Sequence, residues 1–179
     1  MIVREELAEE KIKILILGLD NSGKTSIVQC LQGLKRISAF NSPQPTRDYK
    51  IEEFEALNSK YVIWDLGGQE AFRNDHIIKL DKYMQGTRKI LYVFDIQDVN
   101  RYDLAIKYMK EVLNSLNNPS NIEVSIFLHK YDPDLEFNQN LNERVIRELI
   151  EKIKEAVPTE INYSMHKTSI YAIFEKYTI

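Results

Sequence analysis

Short apolar runs recur along the chain, and polar or glycine-containing segments follow them. The clearest runs are residues 12–17, 61–66, 89–96 and 124–128. Continuous Ile, Leu, Val and Phe is typical of strands that crossover helices cover on both faces. The pattern therefore predicts an α/β fold with a mostly parallel sheet.

Residues 49–57 differ from these runs because Ile51 and Phe54 are mixed with charged residues. This mixture indicates an edge strand, which would form a hairpin with residues 61–66 through Asn58-Ser59. That strand would be the antiparallel edge of the sheet.

Helices are predicted where apolar residues recur every three to four positions. Their apolar positions are 27, 28, 31 and 34, then 104, 105, 108, 109, 112, 113 and 116, and then 145, 146, 149, 150 and 153. On this pattern Cys30 is predicted to lie in the core. A final set, Ile170, Ile173, Phe174 and Tyr177, predicts a helix that is short or truncated at residue 179.

Length and charge narrow the function classes. At 179 residues, 28% of them charged, the chain is predicted to form one domain over residues 1–179. A net charge of −3 argues against a nucleic-acid partner, because there is no basic excess to neutralise a phosphate backbone. Cys30 is the only cysteine, which favours a reducing, cytoplasmic setting.

The first apolar run leads directly into GLDNSGKT, residues 18–25. Gly18, Gly23, Lys24 and Thr25 complete the pattern G-x-x-x-x-G-K-[ST], in which backbone N–H groups and a helix N-terminus face phosphates. Lys24 would reach the outer phosphates, and the Thr25 hydroxyl would bind magnesium. The candidate binding loop also contains Asp20, Asn21, Ser22 and Ser26. The alternative is a glycine-rich turn with a surface lysine.

A second motif, WDLGGQE, ends the run at residues 61–66. A carboxylate at the end of a buried strand needs a cation or a water bound to one, so Asp65 is predicted to be the second acidic partner of magnesium. Gly68 can bring a bare backbone N–H to a terminal phosphate, and Gln69 can orient an attacking water. The alternative is a loop turn with an exposed glutamine.

GLDNSGKT together with WDLGGQE resembles the Arf branch of the small GTPases over nearly the whole chain. The resemblance implies a three-layer P-loop G domain with a six-stranded sheet, bound GTP or GDP, and Mg²⁺. It also implies that Thr46, which follows Pro45, is the switch-one threonine that ligates magnesium when a third phosphate is present. Asp20 would place a carboxylate near that phosphate, which predicts slow hydrolysis.

Base selection is predicted to depend on the segment His129-Lys130-Tyr131-Asp132. A carboxylate at Asp132 would accept from two adjacent N–H groups of guanine, whereas adenine presents an acceptor there. The Lys130 stem would lie over the base plane. The alternative for this segment is a polar turn at the end of a strand.

Several details of the second half resemble the Rag-type GTPases instead. His129 stands where the usual family pattern has asparagine. Thr168-Ser169-Ile170 stands where the family's Ser-Ala-Lys loop offers a backbone N–H to guanine, so the resemblance implies that Ser169 provides it. Ile170 lacks the lysine charge of that loop.

Three functions are consistent with the sequence. The leading hypothesis is a GTP-hydrolysing switch; the others are a nucleotide-binding interaction module without turnover and an ATP-using P-loop kinase or ATPase. Arg47 and Arg73 are predicted to make surface or partner contacts. The resemblance to the Arf branch implies an exchange factor, an activating protein and effectors. The resemblance to Rag-type GTPases also implies that the chain can form a dimer. Residues 1–11 are charged, which predicts no autonomous membrane anchor.

Overall fold

The computed structural model describes residues 11–32, 44–56, 59–117, 119–133, 135 and 141–170. The strands are Lys11–Leu17 (β1), Tyr49–Ala56 (β2), Ser59–Leu66 (β3), Thr87–Asp95 (β4), Glu123–His129 (β5) and Tyr163–Lys167 (β6). The helices are Lys24–Leu31 (α1), Glu70–Ile78 (α2), Leu80–Met84 (α3), Tyr102–Asn114 (α4) and Glu143–Ala156 (α5).

One sheet contains all six strands, in the order β2-β3-β1-β4-β5-β6. Strands β3, β1, β4, β5 and β6 run parallel to one another, and β2 pairs antiparallel with β3. The predicted fold class is confirmed, including the single antiparallel edge strand. The carboxyl ends of β1, β3, β4 and β5 therefore meet at one edge of the sheet, which is where ligands bind in open α/β folds.

The β2–β3 hairpin brings two distant sequence segments together. Its register pairs Tyr49 with Leu66 at one end and Ala56 with Ser59 at the other. The start of β2 therefore lies beside the end of β3. The predicted strand over residues 49–57 is correct for 49–56, while Leu57 and Asn58 lie outside the described residues.

Alternate residues of the central strands supply the two faces of the sheet. Ile14 and Ile16 of β1 pack with Ile27 and Val28 of α1 in one buried cluster. Leu15 and Leu17 belong to a larger cluster on the opposite face, together with buried residues of α4 and α5. Strands buried on both faces explain the continuous apolar runs of the sequence.

Two predictions about side-chain burial were wrong. Cys30 and Leu31 are both exposed in the structure, because α1 buries only its first turns, at Lys24, Ile27 and Val28. Leu34 lies outside the described residues, as do Ile173, Phe174 and Tyr177 of the expected final helix. Within the described part of the chain, every helix is too short or too polar to cross a bilayer.

Candidate functional site

The phosphate-loop motif lies between the end of β1 and the start of α1. Gly23 immediately precedes the helix and has φ of 90°, a left-handed conformation that favours glycine. A Cβ at this position would lie 2.5 Å from His129 Cδ2, so a side chain is excluded there as well. Asn21 also has positive φ, at 60°. These conformations wrap the loop around the N-terminus of α1, whose free N–H groups favour anions.

Lys24 is buried at the base of this loop. Its Nζ donates to the backbone oxygens of Gly18 at 3.1 Å and Leu19 at 2.7 Å. Burial lowers the pKa of Lys24 to about 8, although Asp65 and Asp20 act in the opposite direction. An anion near Nζ would stabilise the charged form. The Lys24 ammonium group is therefore fixed by the backbone, and a phosphate group would supply the opposite charge that it lacks.

Three oxygen-bearing side chains converge beside Lys24. Thr25 Oγ1 donates to Asp65 Oδ2 at 2.6 Å, and Thr46 Oγ1 donates to the same oxygen at 3.1 Å. The two hydroxyls are themselves 3.1 Å apart. These residues come from α1, from β3 and from the segment before β2, so the fold assembles all three predicted metal ligands at one place.

Asp65 has a carboxylate that the protein only partly satisfies. The residue is 1% exposed, and its Oδ1 is buried without a hydrogen-bond partner. Burial raises the pKa of Asp65, while the hydrogen bonds from Thr25 and Thr46 and the charge of Lys24 oppose that shift. A buried carboxylate oxygen without a partner is costly, and a hard cation is the ligand that would relieve the cost.

A cleft of about 300 Å³ opens over these groups. It is lined by Asp20, Asn21, Gly23, Lys24, Thr25, Ser26, Gln44, Pro45, Thr46, Gly68, Gln69 and Lys130. Apart from Gln44, all of these residues were singled out by the sequence motifs. Ser22 is buried beneath the loop, and its Oγ has no hydrogen-bond partner.

Gly68 lies directly against the phosphate loop. A Cβ on Gly68 would overlap the backbone nitrogen of Asp20 and the backbone of Gly18 and Leu19. Only glycine permits this approach. Gln69 follows as the residue that precedes α2, and its side chain does not cap that helix. Both residues therefore face the cleft from the end of β3.

Asp20 forms an ion pair that the sequence motifs do not reveal. Its Oδ1 accepts from Arg101 Nη1 at 2.8 Å, and Arg101 also donates to Asp98. Because a cation compensates the Asp20 carboxylate, the repulsion expected from that residue near a phosphate is weakened. The partner comes from the turn before α4, 81 residues away in sequence.

The segment expected to recognise the base follows β5. Lys130 has φ of 61°, and its Nζ donates to Asp95 Oδ2 at 2.6 Å. Asp132 accepts from Ser169 Oγ at 2.5 Å and from Gln97 Nε2 at 3.0 Å. Asp132 and Ser169, which the sequence assigned separately to base recognition, therefore lie in contact, and Gln97 is an additional residue that orients the carboxylate.

His129 lies between the phosphate loop and the segment that follows β6. The residue is 1% exposed, and its Nδ1 lies 2.9 Å from Thr168 Oγ1. Its Nε2 is buried without a partner, beneath Gly23. Burial and the neighbouring Lys130 charge lower the pKa of His129. The ring therefore packs between the phosphate loop and the segment that contains Ser169 and Ile170.

A comparison with protein-family models gives a match to the ADP-ribosylation factor (Arf) family over residues 1–172. The chain belongs to the Arf family. The segments that surround the cleft all lie within this match.

Similar proteins include other members of the Arf family. The ADP-ribosylation factor-like protein alp41 of Schizosaccharomyces pombe is 33% identical over 110 residues, which are 62% of this chain and 55% of that protein. ADP-ribosylation factor 3 of Arabidopsis thaliana is 32% identical over 123 residues, 69% of this chain and 63% of that protein. The matches span between about half and two thirds of the length of these curated relatives.

A solved structure has the same fold as this Arf-family chain. It is the Arl6 BBS3 small GTPase from Trypanosoma brucei with the bound nucleotide analogue GppNp. The TM-score is 0.62 and the identity 18%, with 89% of this chain and 87% of that chain covered. At this identity the similarity supports the fold.

One assignment from sequence needs revision for this Arf-family chain. Arg73 was expected to make surface or partner contacts, but it is buried, and its Nη1 donates to the Gly68 backbone oxygen at 2.9 Å. Ile170 is 43% exposed, and its place in the base-binding loop stays a prediction. Gln97 and Arg101 have no place in the sequence motifs, since each acts through a contact that depends on the tertiary fold.

Proposed function

We propose that this chain is a molecular switch that binds GTP and GDP with Mg²⁺ and hydrolyses GTP slowly. The observation that supports this most strongly is the convergence of Thr25, Thr46 and Asp65 beside the buried Lys24. Three segments far apart in sequence provide this arrangement, and Gly68 and Gln69 complete the cleft above it.

Phosphate binding would use groups that are already in position. Lys24 is fixed by two backbone oxygens, and the loop around Gly23 directs the N-terminus of α1 toward the cleft. Backbone N–H groups and the helix dipole favour negative charge at this point. The pKa of Lys24 would rise again on binding, because a phosphate adds an opposite charge to a desolvated amine.

The oxygen ligands fit Mg²⁺. Thr25 and Thr46 offer hydroxyls, and Asp65 offers a carboxylate with one buried oxygen that has no partner. Hard cations prefer oxygen ligands, and magnesium commonly takes one or two protein carboxylates together with phosphate oxygens. Thr25, Thr46 and Asp65 would hold the Mg²⁺, and the ion would neutralise phosphate charge.

Hydrolysis would depend on Gln69. Its amide can accept a hydrogen bond from an attacking water and donate to it at the same time. Within the described part of the chain no arginine lines the cleft. An arginine supplied by an activating protein raises GTPase rates by about 10³–10⁵-fold, so the unassisted reaction should be slow.

Guanine selection would depend on Asp132. Ser169 and Gln97 each donate to one of its oxygens, which fixes the plane of the carboxylate beside Lys130. Each oxygen retains further acceptor capacity for N–H groups of a base. Adenine would leave that capacity unpaired and would place an acceptor against the carboxylate, so the wrong base would be disfavoured by a lost hydrogen bond and by repulsion.

The relatives support the same proposal. The Trypanosoma brucei protein is a small GTPase with the bound nucleotide analogue GppNp, and the curated relatives are an ADP-ribosylation factor and an Arf-like protein. We propose by analogy that an exchange factor, an activating protein and effectors act on this chain in the cytoplasm. A dimer is a further proposal, which the Rag resemblance motivates.

The first experiment is to denature the purified protein and identify the nucleotide that it releases. The protein would then be loaded from an equimolar mixture of ATP and GTP and analysed again. Recovery of GDP or GTP, with ATP excluded, is the expected result. The Asp132→Asn variant should lose this selectivity, while Asp103→Asn, on the exposed face of α4, should retain it. Recovery of ATP from the wild-type protein would refute the proposal.

Turnover separates a GTPase from a nucleotide-binding module that does not hydrolyse GTP. Gln69→Leu should slow single-turnover hydrolysis by at least about tenfold, because the water loses its orienting group. Gln85→Leu, at an exposed position outside the cleft, is the matched control. If Gln69→Leu hydrolyses GTP at the wild-type rate, the assignment of Gln69 is wrong.

A further inference from the structure

Arg73 is a buried cation with an unusual partner. The residue is 9% exposed, yet among the described residues no carboxylate lies within ion-pair distance of it. Its Nη1 donates to the backbone oxygen of Gly68 at 2.9 Å. Burial of a charge is costly unless hydrogen bonds compensate for it. The Gly68 carbonyl is therefore an important part of what stabilises this guanidinium.

The same contact fixes the orientation of a peptide group at the cleft. The Gly68 carbonyl points toward Arg73, so the N–H of Gln69 in the same trans peptide points to the opposite side. A hydrogen bond from a guanidinium is stronger than one from a neutral donor. Rotation of the Gly68–Gln69 peptide would break this bond and leave the buried charge without its acceptor.

The residue on the other side of Gly68 is held independently. The N–H of Gly67 donates to the Asp48 backbone oxygen at 2.7 Å, and Asp48 lies just before β2. The peptide that contributes the Gly68 N–H therefore lies between two peptides of fixed orientation. The Cα of Gly68 lies against the backbone of Asp20, and this contact is a third restraint on the position of Gly68.

We propose that Arg73 is a positioning residue that holds the Gly68 backbone ready for the third phosphate of GTP. This inference rests on the proposed function. Arg73 acts through the Gly68 carbonyl, and its side chain is not part of the cleft lining. Loss of Arg73 should therefore affect binding of a triphosphate and its hydrolysis, while diphosphate binding through Lys24 and the α1 N-terminus continues.

The test compares GDP and GTPγS affinities of wild type with those of three variants. Arg73→Met keeps much of the side-chain volume and removes the donor, whereas Arg73→Lys keeps a cationic donor. Arg144→Met, at an exposed position on α5, is the matched control. Single-turnover GTP hydrolysis is measured on the same samples.

We expect Arg73→Met to weaken GTPγS binding by about tenfold relative to GDP, the effect of losing one charge-assisted hydrogen bond. Its hydrolysis rate should fall by at least the same factor. Arg73→Lys should restore most of the GTPγS affinity, and Arg144→Met should match the wild type. If Arg73→Met does not fold, Arg73→Gln takes its place, with a smaller loss in the same direction.

Equal losses of GDP and GTPγS affinity in the Arg73 variants would show a general structural role and overturn the inference. Unchanged affinities and hydrolysis would overturn it as well. In both cases the wild-type protein still binds and hydrolyses GTP, so the proposed function stands. Failure of the wild-type protein to bind guanine nucleotides would overturn both.

Discussion

At the scale of single residues, the described structure leaves four buried side-chain atoms without hydrogen-bond partners. They are Ser22 Oγ, Asp65 Oδ1, His76 Nδ1 and His129 Nε2. Each such atom costs about 1–3 kcal/mol when it stays unpaired, and native structures contain few of them. Ser22 belongs to the phosphate loop, and Asp65 and His129 contact it or the helix that follows it. Unpaired atoms therefore concentrate where a ligand is proposed to bind.

His129 should make stability depend on pH. Burial lowers its pKa in the folded protein below the value of 6.5 for an exposed histidine. As pH falls through about 6.5, the unfolded chain binds a proton that the folded protein does not, so the free energy of unfolding decreases. This contribution is present above pH 6.5 and is lost toward the lower folded-state pKa.

Urea unfolding at pH 7.5 and pH 5.5 would measure this effect. His129→Asn removes the titrating ring and retains a polar group near Thr168, so it should lose less stability on acidification than the wild type. His76 remains in both proteins, and burial lowers its pKa too, so part of the pH dependence should persist. His166→Asn, at an exposed position, serves as control. The same pH dependence in His129→Asn and wild type would contradict the prediction.

Asp65→Asn should weaken the effect of magnesium on nucleotide retention. The amide has nearly the shape of the carboxylate but lacks its charge, so it is a poorer ligand for Mg²⁺. Release of a fluorescent GDP analogue would be timed with excess Mg²⁺ and with EDTA. The ratio of the two rates should be at least about tenfold smaller in the variant, a difference of about 1.4 kcal/mol. An unchanged ratio would remove Asp65 from the proposed metal site.

At the scale of secondary structure, helix α5 shows how local sequence specifies an element. Asn142 precedes the helix, and its side chain accepts a hydrogen bond from the Val145 N–H at 3.1 Å. Ile146, Leu149 and Ile153 lie on the buried face, while charged residues occupy the exposed face. The capping residue and the spacing of the apolar residues both indicate a helix at this place, so α5 could be predicted from the sequence.

Asn142→Ala should reduce the free energy of unfolding by about 1 kcal/mol, since the first turn loses its side-chain acceptor. Asn142→Asp keeps an acceptor at the same position and should stay close to wild type. Chemical denaturation of the three proteins at pH 7 would measure the difference. Equal stability of the alanine and aspartate variants would show that the cap contributes nothing measurable.

Other elements could not be predicted from their local patterns. Strand β6 lies at the edge of the sheet, and its sequence YSMHK lacks the apolar run that burial on both faces imposes. Helices α2 and α3 bury only Arg73, His76, Leu80 and Tyr83, a set too sparse to reveal a period. In these elements, contacts made by the folded chain outweigh the periodicity of the sequence.

At the scale of the whole molecule, the sheet order explains why motifs scattered over 150 residues predicted one site. Most of the candidate residues follow β1, β3, β5 and β6, and parallel strands place those ends at one edge. Long-range partners are a different matter. Arg101 reaches Asp20 across 81 residues and Gln97 reaches Asp132 across 35, and neither pair has a sequence signature.

Nucleotide binding should stabilise the whole chain. A ligand at 100 times its dissociation constant adds about 2.7 kcal/mol to the free energy of unfolding, or about 5–10 °C in the midpoint for a chain of this size. Thermal unfolding with GDP and Mg²⁺ should show this increase, and ADP with Mg²⁺ should not. An equal response to both nucleotides would contradict guanine selection.

Thr46 and Gly68 both lie at the open end of the β2–β3 hairpin. Thr46 comes just before Tyr49, Gly68 comes just after Leu66, and these two strand residues are paired. The contact between Gly67 and Asp48 fastens these ends together. Ordering of the segment that contains Thr46 therefore also orders the segment that contains Gly68, so the entropy cost of ordering both is paid largely once. The two segments should therefore become ordered around a nucleotide in one cooperative step. A substitution in either segment should change the ordering of both.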